Sequence, residues 1–204
     1  AMRANAAGPG LLAAYAERRG AFLVHISTDY VFDGLRAVPQ PYVETDPVGP
    51  LSYYGVTKLE GERAVAAAAS RFAILRTAWL YGVHGHNFLK TMLRLSLQGR
   101  ALKVVNDQHG SPTWSWRLAR QIDKVIDRGA RGVYHATAEG HCTWFELARH
   151  FLERMGVPHK LSPCGTEDYP TPARRPANSI LENAALKRAG LNVMAPWVDD
   201  VDEF

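Results

Sequence analysis

Cysteine is nearly absent: Cys142 and Cys164 are the only two among 204 residues. Two are too few for a disulfide framework, and neither stands in a paired metal-ligand spacing, so the reducing cytoplasm is the expected compartment. No apolar run approaches the roughly 20 residues needed to span a bilayer. The N-terminus also lacks the basic-then-apolar pattern of a secretory signal, and the chain is expected to be neither secreted nor membrane-inserted. A strong charge of one sign is missing too. Lysine and arginine number 24 against 20 acidic residues, a net charge of +4 with no basic arm or stripe, so no nucleic-acid interface is expected. Internal repeats and low-complexity tracts are absent. What remains, 47% hydrophobic and 22% charged, is the composition of an ordinary globular domain.

Apolar periodicity orders that composition into alternating elements. Ala6 to Arg19 reads as a helix closed by Gly20, and Ala21 to Ser27 is a near-continuous apolar run of strand length. A helical pattern from Tyr53 to Ala69 leads into a second short apolar run, Phe72 to Thr77. Strand, long crossover with helix, strand is the parallel βαβ unit. The pattern predicts helices over Asn87 to Gln98 and Thr113 to Arg128, and strands over Leu102 to Asn106 and Gly132 to Thr137. Thr143-Trp-Phe-Glu146 fits a capping box opening a helix to Met155. Ser162 to Asn178, with four prolines, reads as a long irregular loop. No strand running into a glycine-rich turn precedes the first helix, and Gly8-Pro9-Gly10 lies inside the helical pattern, so no phosphate-cradling loop is read there.

Tyr54 and Lys58 stand four apart on a helical pattern, hence on one face. A phenol with its pKa near 10 becomes a workable acid or base when a cation lies within a few ångströms. Such a tyrosine can hand a proton to a carbonyl oxygen as a nicotinamide delivers hydride, while the lysine holds the nicotinamide ribose. The pair alone also fits a solvated helix face. Its context is the preceding strand, which ends in Ser27-Thr28-Asp29-Tyr30-Val31-Phe32 and so puts hydroxyls where open α/β sheets bind ligands. Thr28 can donate to the same carbonyl.

The string Ser27 to Gly34 (STDYVFDG), Glu44-Thr-Asp46-Pro47, Pro50-Leu51 and Tyr54-Gly-Val-Thr-Lys58-Leu-Glu-Gly61-Glu62 resemble the extended short-chain dehydrogenase/reductases. More narrowly, the chain resembles the dTDP-4-dehydrorhamnose reductases. Further segments match in order: Leu75 to Gly82 (LRTAWLYG), Asn87-Phe88, Asn106-Asp107-Gln108-x-Gly110-Ser-Pro112-Thr113, Gly132 to His135 and Arg175-Pro176-x-Asn178-Ser179. The resemblance covers nearly the whole chain. It implies an α/β fold, a Rossmann-like doubly wound parallel sheet with a smaller C-terminal substrate-binding lobe. Residues 1–83 would be part of the NAD(P)-binding domain and 84–204 mainly the substrate lobe, with segments within about 102–137 returning to the sheet.

The same resemblance implies that Tyr54 is the proton donor, that Lys58 holds the cofactor ribose, and that Thr28 positions the reacting oxygen. Thr28, Asp29 and Trp79 would line the sugar-nucleotide site. Tyr30, Asn87 and Arg175 are further candidates, although a tyrosine after a strand can simply pack, Asn87 can cap its helix and Arg175 can be an exposed structural arginine. Asn5 is expected to brace the first helix. His84-Gly-His86 and His141-Cys142 lack a third ligand and are not read as metal sites. Trp114, Trp116 and Trp144 stand at helix starts and read as packing. The implied cofactor is NADPH or NADH, the implied substrate a dTDP-sugar. A homodimer, and a bridging Mg2+, are implied by the resemblance only. The resemblance also implies a strand and glycine-rich turn that this sequence does not contain, so weak cofactor binding and weak or absent reductase activity are expected of these 204 residues, with an exposed sheet edge. Two other readings stay open: a non-catalytic binding member like the methionine adenosyltransferase regulatory subunit, and a nucleotide-sugar epimerase or dehydratase.

Overall fold

The computed structural model describes residues 1–168 and 175–204. In chain order the helices and strands begin α1 (Gly8–Arg18), β1 (Leu23–Thr28), α2 (Tyr53–Ala68), β2 (Phe72–Thr77), β3 (Leu80–Tyr81), α3 (Phe88–Leu97) and β4 (Ala101–Val105). They continue as β5 (His109–Gly110), β6 (Thr113–Trp114), α4 (Ser115–Asp127), β7 (Gly132–His135), β8 (Cys142–Thr143), α5 (Trp144–Arg154), β9 (Lys160–Cys164), β10 (Asn178–Ser179), α6 (Ala184–Arg188) and α7 (Trp197–Glu203).

The two apolar runs become β1 and β2, paired in parallel from Leu23 against Phe72 to Thr28 against Thr77. β7 adds to the far side of β2, also parallel, giving the order β1-β2-β7. Side chains alternate across this sheet with the period of 2 that the pleat imposes. Ala73 and Leu75 pack against Leu118 and Val125 of α4 and Leu186 of α6. Ile74 points the other way, into Ala13 of α1 and Val65 and Ala69 at the end of α2. Helices therefore cover both faces, the layering of an α/β fold. Burying Ile74 and Leu75 completely stabilises this layer by about 1.5–3 kcal/mol each.

A second core lies beyond the sheet, where Leu89 and Met92 of α3, Leu147, Phe151 and Leu152 of α5, Val104 of β4 and Val201 of α7 close on one another. The capping box opens α5 as expected: Glu146 N–H donates to Thr143 Oγ1 at 3.1 Å and Thr143 N–H to Glu146 Oε2 at 2.7 Å. Within the stretch 102–137, β7 pairs with β2, whereas β4 pairs with β9 away from the main sheet.

Three expectations need correcting. The helix at Thr113 starts at Ser115, because Thr113 and Trp114 are drawn into pairing with Leu80 and Tyr81. The first helix begins earlier than Ala6, as a wider π-type turn, Arg3–Ala7, continuing into α1. Most importantly, Ser162 to Asn178 is not irregular throughout. Lys160–Cys164 is β9, and Asn178–Ser179 is β10, parallel to β5. Pro163 hid the first of these, yet a two-stranded sheet leaves one side of β9 without a ladder, where a missing N–H costs nothing.

Candidate active site at the carboxyl ends of the first two strands

β1 and β2 end side by side, and the chain leaves both through polar residues, so their carboxyl ends form the floor of a cleft of about 630 Å³. Ser27, Thr28 and Asp29 come from β1 and the 3-10 turn after it (Asp29–Val31), Thr77 to Trp79 from the end of β2, and Tyr54 and Lys58 from the first turns of α2. Local chemistry aims α2 at this point. Ser52 caps it, accepting from Gly55 N–H at 3.0 Å. Gly55 is required there because a Cβ would stand 2.2 Å from the Tyr30 carbonyl oxygen, so the absence of a side chain lets α2 press against the turn beyond β1. Asn5, expected to brace the first helix, lies within its opening turn and braces α2 instead, its Nδ2 donating to Thr57 Oγ1 at 3.0 Å.

Tyr54, 47% exposed, opens into the cleft with its ring edge-on to Tyr30, centroids 5.7 Å apart. Burial raises its phenol pKa, the charge of Asp29 adds to this, and hydrogen bonding with Thr28 opposes it. The expected lowering by Lys58 does not occur. Lys58 Nζ instead donates to the Ile26 carbonyl of β1 at 2.6 Å, its own pKa lowered by burial and partly restored by Glu62 one turn on. A raised phenol pKa keeps the proton on Tyr54 at neutral pH, the state a proton donor needs.

Thr28 also differs from expectation. Its hydroxyl donates to Asp29 Oδ1 at 2.7 Å and accepts from Tyr30 N–H at 3.2 Å, so its proton is committed to a carboxylate and its oxygen to a backbone N–H. Asp29 is buried, and burial pushes its pKa up to about 6 against the hydrogen bond from Thr28. Trp79 closes one side with a backbone φ of +48°, the left-handed region, a conformation costing on the order of 1–3 kcal/mol for a bulky residue. Tyr30 and the exposed Arg175 also line the cleft, and Arg175 borders a second cavity of about 630 Å³ between α3, β4 and Trp144.

Asn87 is not brought into the cleft. Its side chain caps α3, accepting from Lys90 N–H at 3.0 Å and donating to the Gly82 carbonyl at 2.7 Å, which uses both ends of the amide. Three features were missed. Ser52 could have been found as a serine ahead of a helical pattern. Trp144, read as packing, stacks on Trp79 with centroids 3.6 Å apart and planes 11° apart, a contact no local pattern announces. Arg76 and Glu62 form a buried bidentate pair behind Lys58, at 3.0 and 2.7 Å, each side chain 6% exposed. Among the described residues no group of three or more His, Cys, Asp or Glu side chains could hold a metal ion, and no helix is long and apolar enough to cross a membrane.

The whole chain, residues 1–204, matches the family model described as the RmlD substrate binding domain. It is 41% identical over 200 residues to a dTDP-4-dehydrorhamnose reductase of Burkholderia thailandensis, covering 90% of this chain and 66% of that protein. It is 40% identical over 199 residues to a dTDP-4-keto-6-deoxy-D-glucose reductase of Streptomyces niveus, covering 97% and 68%. Among solved structures, a dTDP-4-dehydrorhamnose reductase from Clostridium acetobutylicum superposes with a TM-score of 0.94 at 46% identity, covering 98% of this chain and 70% of the other. One from Bacillus anthracis, in complex with NADP, does so at 0.94 and 38% identity, again covering 98% and 70%. The chain thus spans about two thirds of the length of the curated relatives it matches.

Proposed function

Because the chain belongs to the RmlD substrate-binding-domain family, we propose that it works as the proton-donating and sugar-binding part of a dTDP-4-dehydrorhamnose reductase, which reduces the 4-keto group of dTDP-6-deoxy-L-lyxo-4-hexulose to give dTDP-L-rhamnose. The observation that carries this is the convergence of Tyr54, Thr28 and Lys58 on one cleft at the carboxyl ends of β1 and β2. NADPH supplies the hydride when bound. Lys58 suits the ribose end of that cofactor: it spends one of three N–H donors on the Ile26 carbonyl and lines the cleft with the others.

Tyr54 gives its phenolic proton to the oxygen of the reacting carbonyl, and its raised pKa favours having that proton in place beforehand. Thr28 lines the same cleft with its own proton taken by Asp29, so Tyr54 is left as the group that donates to the carbonyl oxygen. Trp79 offers the sugar an apolar ring face on one side of the cleft. Arg175, whose guanidinium fork matches phosphate oxygens, stands where this cleft meets the cavity beside α3 and serves the diphosphate.

The test is oxidation of NADPH by the intact protein on addition of dTDP-6-deoxy-L-lyxo-4-hexulose, with the product identified chromatographically. Slow formation of dTDP-L-rhamnose at saturating NADPH is the expected result, in keeping with the weak cofactor binding expected of these 204 residues. A protein that binds NADPH and the sugar nucleotide without turnover belongs to the binding-protein class instead, and release of a 4-epimer or an eliminated sugar would identify an epimerase or dehydratase.

A further inference from the structure

The motif Asn106 to Thr113 touches no part of the proton-transfer group, yet three of its residues converge on Trp79 or on the tryptophan stacked against it. Asn106 Oδ1 accepts from Thr143 Oγ1 at 2.7 Å, which ties the start of α5, and so Trp144, to this segment. Gly110 abuts the edge of the Trp79 indole: a Cβ there would stand 2.5 Å from Cε2 and 2.7 Å from Cζ2 of the ring, and 2.7 Å from Ser179 Oγ. Thr113 N–H donates to the Trp79 carbonyl at 3.2 Å, fixing the residue whose φ is +48°. Trp79 is held at its backbone, along one ring edge and over one ring face, by elements distant in sequence.

We infer that Gly110 and Trp144 are positioning residues that clamp Trp79 in its strained conformation and thereby set the fit of the sugar in the cleft beside Tyr54. The reasoning is steric. A positive φ at a bulky residue persists only where the surroundings over-determine it, and here the surroundings are a residue without a side chain on one edge and an indole on one face. Any side chain at residue 110 drives the Trp79 ring off the stack or into the cleft. Loss of the indole at residue 144 frees one ring face and lets Trp79 relax. Either change moves the wall of the sugar site and leaves Tyr54, Thr28 and Lys58, carried by β1 and α2, where they are.

This inference rests on the proposed reductase function, and the experiment separates the two. In the intact protein, Gly110→Ala should raise KM for the keto-sugar nucleotide roughly ten- to hundredfold, with a smaller change in kcat and none in KM for NADPH. The exciton couplet that two closely stacked indoles give in circular dichroism should disappear with it. Trp144→Ala should raise the same KM, and Trp144→Phe, which keeps a ring on the Trp79 face, should restore most of it. In a Trp79→Phe background, Gly110→Ala should cost less than in wild type, because the smaller ring no longer reaches the Cβ and only the clash with Ser179 Oγ remains; this is the coupling expected of touching groups. Should Gly110→Ala fail to fold, the comparison of Trp144→Ala with Trp144→Phe decides. A wild-type sugar KM in Trp144→Ala, or in a folded Gly110→Ala, overturns the inference while leaving the reductase reading intact. An equal cost of Gly110→Ala with and without Trp79 does the same. A wild-type protein without any turnover overturns both.

Discussion

The end of the α2–sheet layer that faces the cleft and the core around α5 are both buried and chemically opposite. Behind the cleft, Arg76, Glu62, Thr57 and Asp29 are all buried, and directed bonds hold them: the ion pair of Arg76 with Glu62, and hydrogen bonds from Asn5 to Thr57 and from Thr28 to Asp29. Around α5 the residues that are buried as deeply are Leu89, Leu147, Ala148 and Leu152. The first layer gains little net stability from its charges, because desolvation offsets their attraction, but it fixes directions: Lys58 is turned onto the Ile26 carbonyl and Arg76 onto Glu62. The second gains stability from area and has no direction to enforce. In the proposed reaction the chemistry falls to the layer that is less efficient at holding the fold together.

Each of four variants tests that division. Tyr54→Phe removes the proposed proton donor from a half-exposed position, so kcat/KM should fall roughly hundredfold to ten-thousandfold with an unfolding midpoint in denaturant equal to wild type; a matching drop in stability would mean that the site and the scaffold are not separate. Glu62→Ala leaves the Arg76 guanidinium buried without its carboxylate and should cost about 3–5 kcal/mol in chemical denaturation. The paired replacement Glu62→Leu with Arg76→Met should recover most of that loss without recovering activity. In the apolar core, Leu152→Ala should cost about 2–5 kcal/mol while leaving kcat/KM per folded molecule unchanged; a change in turnover there would break the comparison from the other side.

The smallest expected effect is a pH dependence. Folding raises the Asp29 pKa from 3.8 to about 6, so the protonated form is favoured in the native state. That contribution is fully present below 3.8 and is lost as pH rises through about 6. Measured as the difference between wild type and Asp29→Asn across that window, stability should shift in favour of the variant by up to about 3 kcal/mol on the alkaline side. A difference that stays flat with pH would show that Asp29 is ionised and satisfied where it lies.

The α/β character was open to reading wherever local pattern and packing agree. Phe72 to Thr77 alternates Ala73 and Leu75 to one face with Ile74 to the other, and its boundaries coincide with those read from the sequence. Thr143 with Glu146 carries its own cap, and Tyr54 with Lys58 its own helical spacing. Patterns that depend on a distant partner were not legible. β9 contains Pro163 and lacks a clean alternation, so only its pairing with β4 makes it a strand. Trp144 reads as a helix-start tryptophan until Trp79 lies against it.

By itself the sequence determined the period of the elements, the layering they produce and the one-face spacing of Tyr54 and Lys58, because these follow from interactions within a few residues. Tertiary structure alone decided what those groups do. It turned the Lys58 ammonium onto the Ile26 carbonyl instead of toward the Tyr54 phenol, committed the Thr28 proton to Asp29, spent Asn87 on capping a helix and fixed Trp79 between a glycine and a second tryptophan. Protonation state and ring position depend on burial and on neighbours remote along the chain, and only the folded chain brings those together.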